Sequence, residues 1–316
     1  MTMSGQAPRV VLVTGKGGVG KTVVSASLAL HYASIGLRTV LVETAGATNV
    51  SALFGRTGSG YALTELRPRL STLSLTPEAA IEDYVVQQIR FKRLYTMVFK
   101  NRVMGPFIDA VPGLHDAVQL GKVFDLSRER RAGGHAWDRV VVDAPATGHG
   151  LTMLGSARSM MELTRAGPLH EGVKQVQDVI GDPRHTAVLL VSLAEGLPVN
   201  ETIELWERLG ESRALLRGVA LNLCLPSPIG AADWRDGSGV LDVVPNGAAL
   251  RGLVERRLQR VDQQAAAAER LHAATGAPVR ALSDLRAARD GLNGRPWAEP
   301  DLLRLAAQLD PSGLGL

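Results

Sequence analysis

Gly15-Lys16-Gly17-Gly18-Val19-Gly20-Lys21-Thr22 follows directly on the apolar run Val10–Val13 and opens an amphipathic stretch near 21–35. The octet satisfies G-x-x-x-x-G-K-[ST], and a strand before it with a helix after it is the setting in which that pattern binds nucleotide phosphate. Each residue type has a physical task. Gly15, Gly17, Gly18 and Gly20, with Val19 between them, let backbone N–H groups converge on phosphate oxygens. The helix that follows, through Lys21, Thr22 and Val23, turns its positive end toward the same point. Lys21 is expected to reach the β- and γ-phosphates and the Thr22 hydroxyl to hold Mg²⁺, so ATP and Mg²⁺ are the expected ligands.

Outward from the loop, short apolar runs alternate with helix-length amphipathic segments, the pattern of a parallel sheet with crossover helices. Strands are predicted at Arg9–Thr14, Thr39–Glu43, Leu70–Leu75, Arg139–Asp143, Ala187–Ser192, Gly218–Leu223 and Pro278–Leu282. Helices are predicted near 21–35, 77–102, 112–130, 151–165, 168–181, 198–213, 246–274 and 298–309. Gly, Pro, Ser and Asp cluster at Gly55–Gly60, Gly133–Gly134 and Pro226–Gly239, which read as loops. Without a repeat or a clean linker, residues 1–316 read as one α/β P-loop NTPase domain, a doubly wound, mostly parallel sheet with helices on both faces. Residues 77–135 place two or three consecutive helices between strands and read as a helical insertion. The tail after Gly313 offers little to bury.

Composition narrows the function. The chain has 316 residues, of which 45% are hydrophobic and 21% charged, which excludes disorder as its dominant state. Its single cysteine, Cys224, excludes an intrachain disulfide and any four-cysteine metal site, and points to a reducing, cytoplasmic compartment. The 35 basic residues exceed the 31 acidic ones only slightly, so no nucleic-acid partner is read from charge. No apolar run approaches the roughly 20 residues a bilayer demands, and MTMSGQAPR lacks the apolar core of a signal peptide.

A second element lies at 139–149. Apolar Val140-Val141-Val142 ending in Asp143 describe a buried strand that delivers a carboxylate beside the loop, where it can serve the Mg²⁺ site. Gly148 would let the backbone approach the γ-phosphate.

Lys16, one residue after the first glycine, makes the loop resemble the deviant Walker A form G-K-G-G-x-G-K-[ST]. That form marks the ATPase class of the MinD, ParA, nitrogenase iron-protein and arsenite-pump families. The string Asp143-Ala-Pro-Ala-Thr-Gly-His149 resembles the switch II motif D-T-A-P-T-G-H of the ArsA-like family, which includes the guided-entry ATPase for tail-anchored membrane proteins. Pro112-Gly113-Leu114-His115-Asp116 is similar to that family's P-G-x-x-E segment. Asn222 ends the strand that in the family supplies an adenine-contacting Asn, and Leu282-Ser283-Asp284 stand where its L-P-x loop covers the base. The matches run from about residue 9 to 285. The resemblance implies a nucleotide-sandwich dimer, as a homodimer or with a related ATPase, in which Lys16 contacts the other subunit's nucleotide.

One departure bears on catalysis. The family's switch I reads S-T-D-P-A-H-N-L-S-D, and its first Asp positions the attacking water; here Ala45 stands at that place within Glu43-Thr44-Ala45-Gly46-Ala47-Thr48-Asn49. A methyl group can neither take a proton nor orient water. Either Glu43 substitutes, or a partner subunit retains the Asp, or the chain hydrolyses ATP very slowly and uses it as a switch. A weakly hydrolysing, ATP-sensing regulatory subunit is therefore the alternative to an ATPase that handles a hydrophobic or membrane-associated client. The lone Cys224 argues against arsenite and against the interfacial zinc site of guided-entry relatives, and it reads as a buried small hydrophobe. No metal besides Mg²⁺ is expected.

The client itself is not legible. Phe91, Tyr95 and Phe99 recur on one helix face, and Met97, Met104, Met153, Met160 and Met161 fall nearby. An aromatic stripe at helical spacing reads first as core and second as a client groove. Arg90, Lys92, Arg93, Lys100 and Arg102 read as a solvated face, or else as a contact with anionic lipid at a membrane surface or with an acidic partner.

Overall fold

The computed structural model describes residues 7–44, 49–58, 60–76, 78–83, 113–145, 149–163, 168–226, 230–285 and 297–316. Its strands are β1 (Val10–Gly15), β2 (Thr39–Glu43), β3 (Thr64–Arg67), β4 (Leu70–Ser74), β5 (Arg130–Arg131), β6 (Gly134–His135), β7 (Arg139–Asp143), β8 (Thr186–Leu193), β9 (Leu216–Cys224) and β10 (Val279–Ser283). Eight of them form one sheet in the order β10-β9-β8-β1-β7-β2-β4-β3, and only the β3–β4 pairing is antiparallel. β5 and β6 make a separate antiparallel hairpin. The helices are α1 (Lys21–Ser34), α2 (Asn49–Leu53), α3 (Leu114–Arg128), α4 (His149–Leu163), α5 (Pro168–Ile180), α6 (Gly196–Arg208), α7 (Ala231–Gly237), α8 (Gly247–Thr275) and α9 (Glu299–Leu309).

The near-continuous apolar strands follow from burial on both faces. Val10 and Leu12 of β1 join Val140, Val142, Val188 and Leu190 in one core, closed by Leu120 of α3, Met153 of α4, Val199 of α6 and Leu271 of α8. Their neighbours Val11, Val13, Val141, Leu189 and Val191 enter a second core with Leu28 of α1 and Leu302, Leu305 and Leu309 of α9. The sheet is therefore doubly wound. β1 lies between β7 and β8, where the winding reverses, so its carboxyl end opens at the crevice where such folds bind ligands.

Several expectations need correction. The edge strand β3 was not predicted; it is short, and Leu66 is its one buried residue. The loop expected at Pro226–Gly239 contains α7, whose start is fixed by Gly230 N–H donating to Asp233 Oδ2 at 3.2 Å. Gly134 belongs to β6 rather than to a loop. The tail after Gly313 does bury side chains: Leu314 and Leu316 are each 5% exposed. Met153 and Met160 are core residues, which removes them from any client surface.

Within the expected insertion, residues 78–83 are helical, and α3 is built into the main core through Leu120, Val123 and Phe124. Residues 84–112, with Phe91, Tyr95, Phe99, Met97, Met104 and the basic run, lie outside the described residues. Among the described residues, no helix is long and apolar enough to cross a membrane.

Leu314 packs so closely on β9 that a Cβ at Gly218 would meet its side chain at 2.8 Å. Leu314→Ala should lower the unfolding free energy by about 2–3 kcal/mol, the usual cost of truncating a buried leucine. Urea denaturation checks this, and a change of only a few tenths would show that the tail does not belong to the core.

Candidate nucleotide site

The loop after β1 is shaped by close approaches that only glycine permits. At Gly15 a Cβ would lie 2.3 Å from the Val191 carbonyl oxygen of β8. Gly18 and Gly20 adopt φ of +80° and +89°, in the left-handed region. Gly17 and Gly18 are exposed, whereas Val19 is buried and anchors the loop. Helix α1 begins at Lys21 with no side-chain cap and no acidic residue in its first turn. Val23 and Val24 N–H both donate to the Gly20 carbonyl at 3.1 Å, so the N–H groups of Lys21 and Thr22 are the ones at this helix start without an intrahelical acceptor.

Lys21 is buried, and its ammonium donates to the Lys16 carbonyl at 2.9 Å across the mouth of the loop. Burial pulls its pKa below the usual lysine value, and the Asp143 carboxylate pulls it back up. Asp143, at the end of β7, accepts from Thr22 Oγ1 at 2.7 Å and from Ser25 Oγ at 3.2 Å. Burial raises the Asp143 carboxyl, while those two hydrogen bonds and Lys21 oppose the rise. A hydroxyl and a carboxylate sharing one buried corner, with the acid held high by desolvation, suit a small, hard divalent cation, whose charge would favour the ionised acid. Thr22 and Asp143 therefore fit the expected Mg²⁺ role.

Glu43 and Asp143 are paired positions on adjacent parallel strands, so both carboxylates reach the same edge. Glu43 Oε1 accepts from Val50 N–H of α2 at 3.0 Å, which gives it a structural task at the strand end. Its neighbour Thr44 donates from N and Oγ1 to the Asp143 carbonyl at 3.2 and 3.0 Å. Lys16 forms an ion pair with Glu201 of α6 in its own chain, at 2.8 Å.

Asn222 is buried, and its Nδ2 donates to the Val19 carbonyl at 2.9 Å. The same amide lies 2.3 Å from where a Cβ of residue 20 would sit. Asn222 thus braces the phosphate loop from β9, a placement the sequence reading did not foresee. Leu282 is a core side chain inside β10 and not part of an open loop. Ser283 ends that strand with its N–H donating to Gln308 Oε1 at 2.7 Å. Gly148, Ala45 and Pro112 lie outside the described residues.

A model of the anion-transporting ATPases, the ArsA ATPase family, matches residues 8–166 and so takes in β1, the loop, β2, β7 and α4. ATPase BagA of Mycobacterium tuberculosis is 32% identical over 238 residues, 71% of this chain and 68% of that protein. The chain belongs to the ArsA-type ATPases. More distant relatives are the arsenical pump-driving ATPase of Acidiphilium multivorum, 26% identical over 76% of this chain and 44% of that protein, and the ATPase GET3 of Meyerozyma guilliermondii, 23% identical over 68% and 72%.

Four residues of this ArsA-type site escaped the sequence reading. Ser25 could have been found, because it lies three positions after Thr22 on the same face of α1. Thr44, Glu201 and Gln119 carried no local signal. Gln119 of α3 is buried and donates to the carbonyls of Thr44 at 3.2 Å and Leu75 at 3.4 Å, tying α3 to the edge that holds Asp143. Gly20→Ala combines a strained φ with a collision against Asn222, so it should weaken ATP binding at least tenfold while leaving the far-ultraviolet circular dichroism unchanged. Calorimetric titration checks this; unaltered affinity would mean that the loop need not hold its shape.

Proposed function

We propose that the chain is a cytoplasmic ATPase that binds ATP with Mg²⁺ at this loop, hydrolyses it slowly, and works as a nucleotide-sandwich dimer. Its nucleotide state would be passed to the helical insertion, which binds or targets a hydrophobic or membrane-associated client. The observation that carries the reading is the buried corner of Lys21, Thr22, Ser25 and Asp143 at the open start of α1.

The chain's own groups divide the work. N–H groups of the exposed Gly17 and Gly18 and of the first turn of α1 bind phosphate oxygens. Lys21 exchanges the Lys16 carbonyl for the β- and γ-phosphates. Mg²⁺ supplies neutralisation of phosphate charge when bound, and Thr22, with Asp143 behind it, holds it in place. Asn222, placed at the loop, and Ser283, at the end of β10, would flank the base. Lys16 would leave Glu201 to reach the other subunit's nucleotide. Any shift at Asp143 and Thr44 would reach α3 through Gln119, which supports coupling to the insertion.

Support for a client comes from the resemblance to guided-entry ATPases. Arsenite is not proposed, because burial pushes the Cys224 thiol up to about 11 and so disfavours the thiolate a metalloid needs.

Ala45 favours a second reading, a non-hydrolysing ATP sensor paired with a homologue that keeps the switch I Asp. Single-turnover hydrolysis separates the two: tight ATP binding with no phosphate release over hours supports the sensor. For the ATPase, Glu43→Gln should slow phosphate release at least tenfold. A glutamine oxygen can still accept from Val50, so the loss would report chemistry rather than unfolding. An unchanged rate would leave Glu43 with its structural task alone. Lys16→Ala should keep ATP affinity within about threefold yet abolish ATP-induced dimers in sedimentation velocity; dimers that persist would remove Lys16 from the interface.

A further inference from the structure

Residue 16 is tied twice. Its carbonyl accepts from the Lys21 ammonium at 2.9 Å, and its own ammonium pairs with Glu201 Oε1 at 2.8 Å. Both lysines of the loop are thus held by groups of their own chain. Gly15 and Gly17 flank Lys16 and give it no neighbouring side chain to pack on, so the ion pair sets its direction.

Glu201 is mounted more firmly. Val191 of β8 stands opposite Gly15 of β1, and α6 starts at Gly196 just beyond, so the fold brings α6 to the loop. Val199, Thr202 and Leu205 bury one face of α6, and Thr202 Oγ1 donates to the Pro198 carbonyl at 2.8 Å. The Glu201 side chain is 18% exposed against 38% for Lys16, and among the described residues Lys16 is its one partner. A carboxylate so far withdrawn from water is destabilised more by losing its countercharge than an exposed one is. The pair therefore opposes any departure of Lys16.

We propose that Glu201 is a latch on Lys16, holding the lysine within its own chain and so setting how readily two nucleotide-loaded copies close. This rests on the dimer reading given above. The two ties on residue 16 open in turn. When the β- and γ-phosphates take Lys21, the Lys16 carbonyl loses its donor, and the Glu201 pair is the tie that remains. Lys16 leaves that carboxylate only for a stronger anion, and the triphosphate of a second copy, with several charges, is one. ATP binding then loosens the loop, and closure releases the lysine. Glu201 acts through Lys16 and is a positioning residue. Its removal has a telling sign: loss of a structural support would weaken the dimer, whereas loss of a latch strengthens it.

Sedimentation velocity of the full chain with ATP and Mg²⁺ tests this through that sign. Glu201→Gln keeps the size and removes the charge, so dimers should form at lower protein concentration. Two copies each open one pair, so about threefold per copy, the scale of a partly exposed ion pair, becomes about ninefold in the dimer dissociation constant. Glu204→Gln, exposed three residues along the same helix, should change that constant less than about twofold. Lys16→Ala/Glu201→Gln should form no ATP dimer, because the gain runs through Lys16. If Glu201→Gln does not fold, as judged by circular dichroism, Glu201→Ala carries the same expectation. Dimers that weaken or stay as in the parent, while Lys16→Ala abolishes them, would overturn the latch and leave the dimer reading standing. A gain that persists without Lys16 would overturn the latch as well. Dimers of the parent that survive Lys16→Ala, or a parent that forms none, would overturn both.

Discussion

The structure depends on how closely the backbone after β1 is pressed against β8. At Gly15 the Val191 carbonyl leaves no room for a side chain, and at Gly20 the Asn222 amide leaves none either. Between these two points the loop arches, with Val19 buried beneath and Gly17 and Gly18 exposed above. The arch results from sheet packing on one side and a single buried amide on the other. The open start of α1 and the Asp143 corner take their positions from that arch, and so do the roles assigned to Lys21 and Thr22.

Much of this was legible in the sequence. The strands of the parallel sheet were readable to within about two residues, because a strand buried on both faces must be apolar throughout, as in Val10–Val13 and Val140–Val142. Lys21, Thr22 and Asp143 were readable because local motifs carry them. β3 was not, since four residues with one inward leucine leave hardly any period to detect. The helix Ala231–Gly237 hid behind Gly, Asp and Pro because an Asp233 cap outweighs their poor propensity. Asn222 was found as a residue but not in its task, since its hydrogen bond to Val19 spans 203 positions. Glu201 and Gln119 belong to the same class. Contacts that the fold alone brings together leave no local trace.

At the carboxyl edge of the sheet two acids, Glu43 and Asp143, lie beside the glycine-rich loop, and Gln119 of α3 reaches the same edge. The family relationship fixes the fold and the ATPase class.

Calorimetric titration of ATP into the purified chain, with and without Mg²⁺, tests the nucleotide site most directly. The Thr22–Asp143 corner predicts saturable binding at one site per chain, tightened at least tenfold by Mg²⁺. No saturable binding, or an affinity indifferent to Mg²⁺, would contradict it.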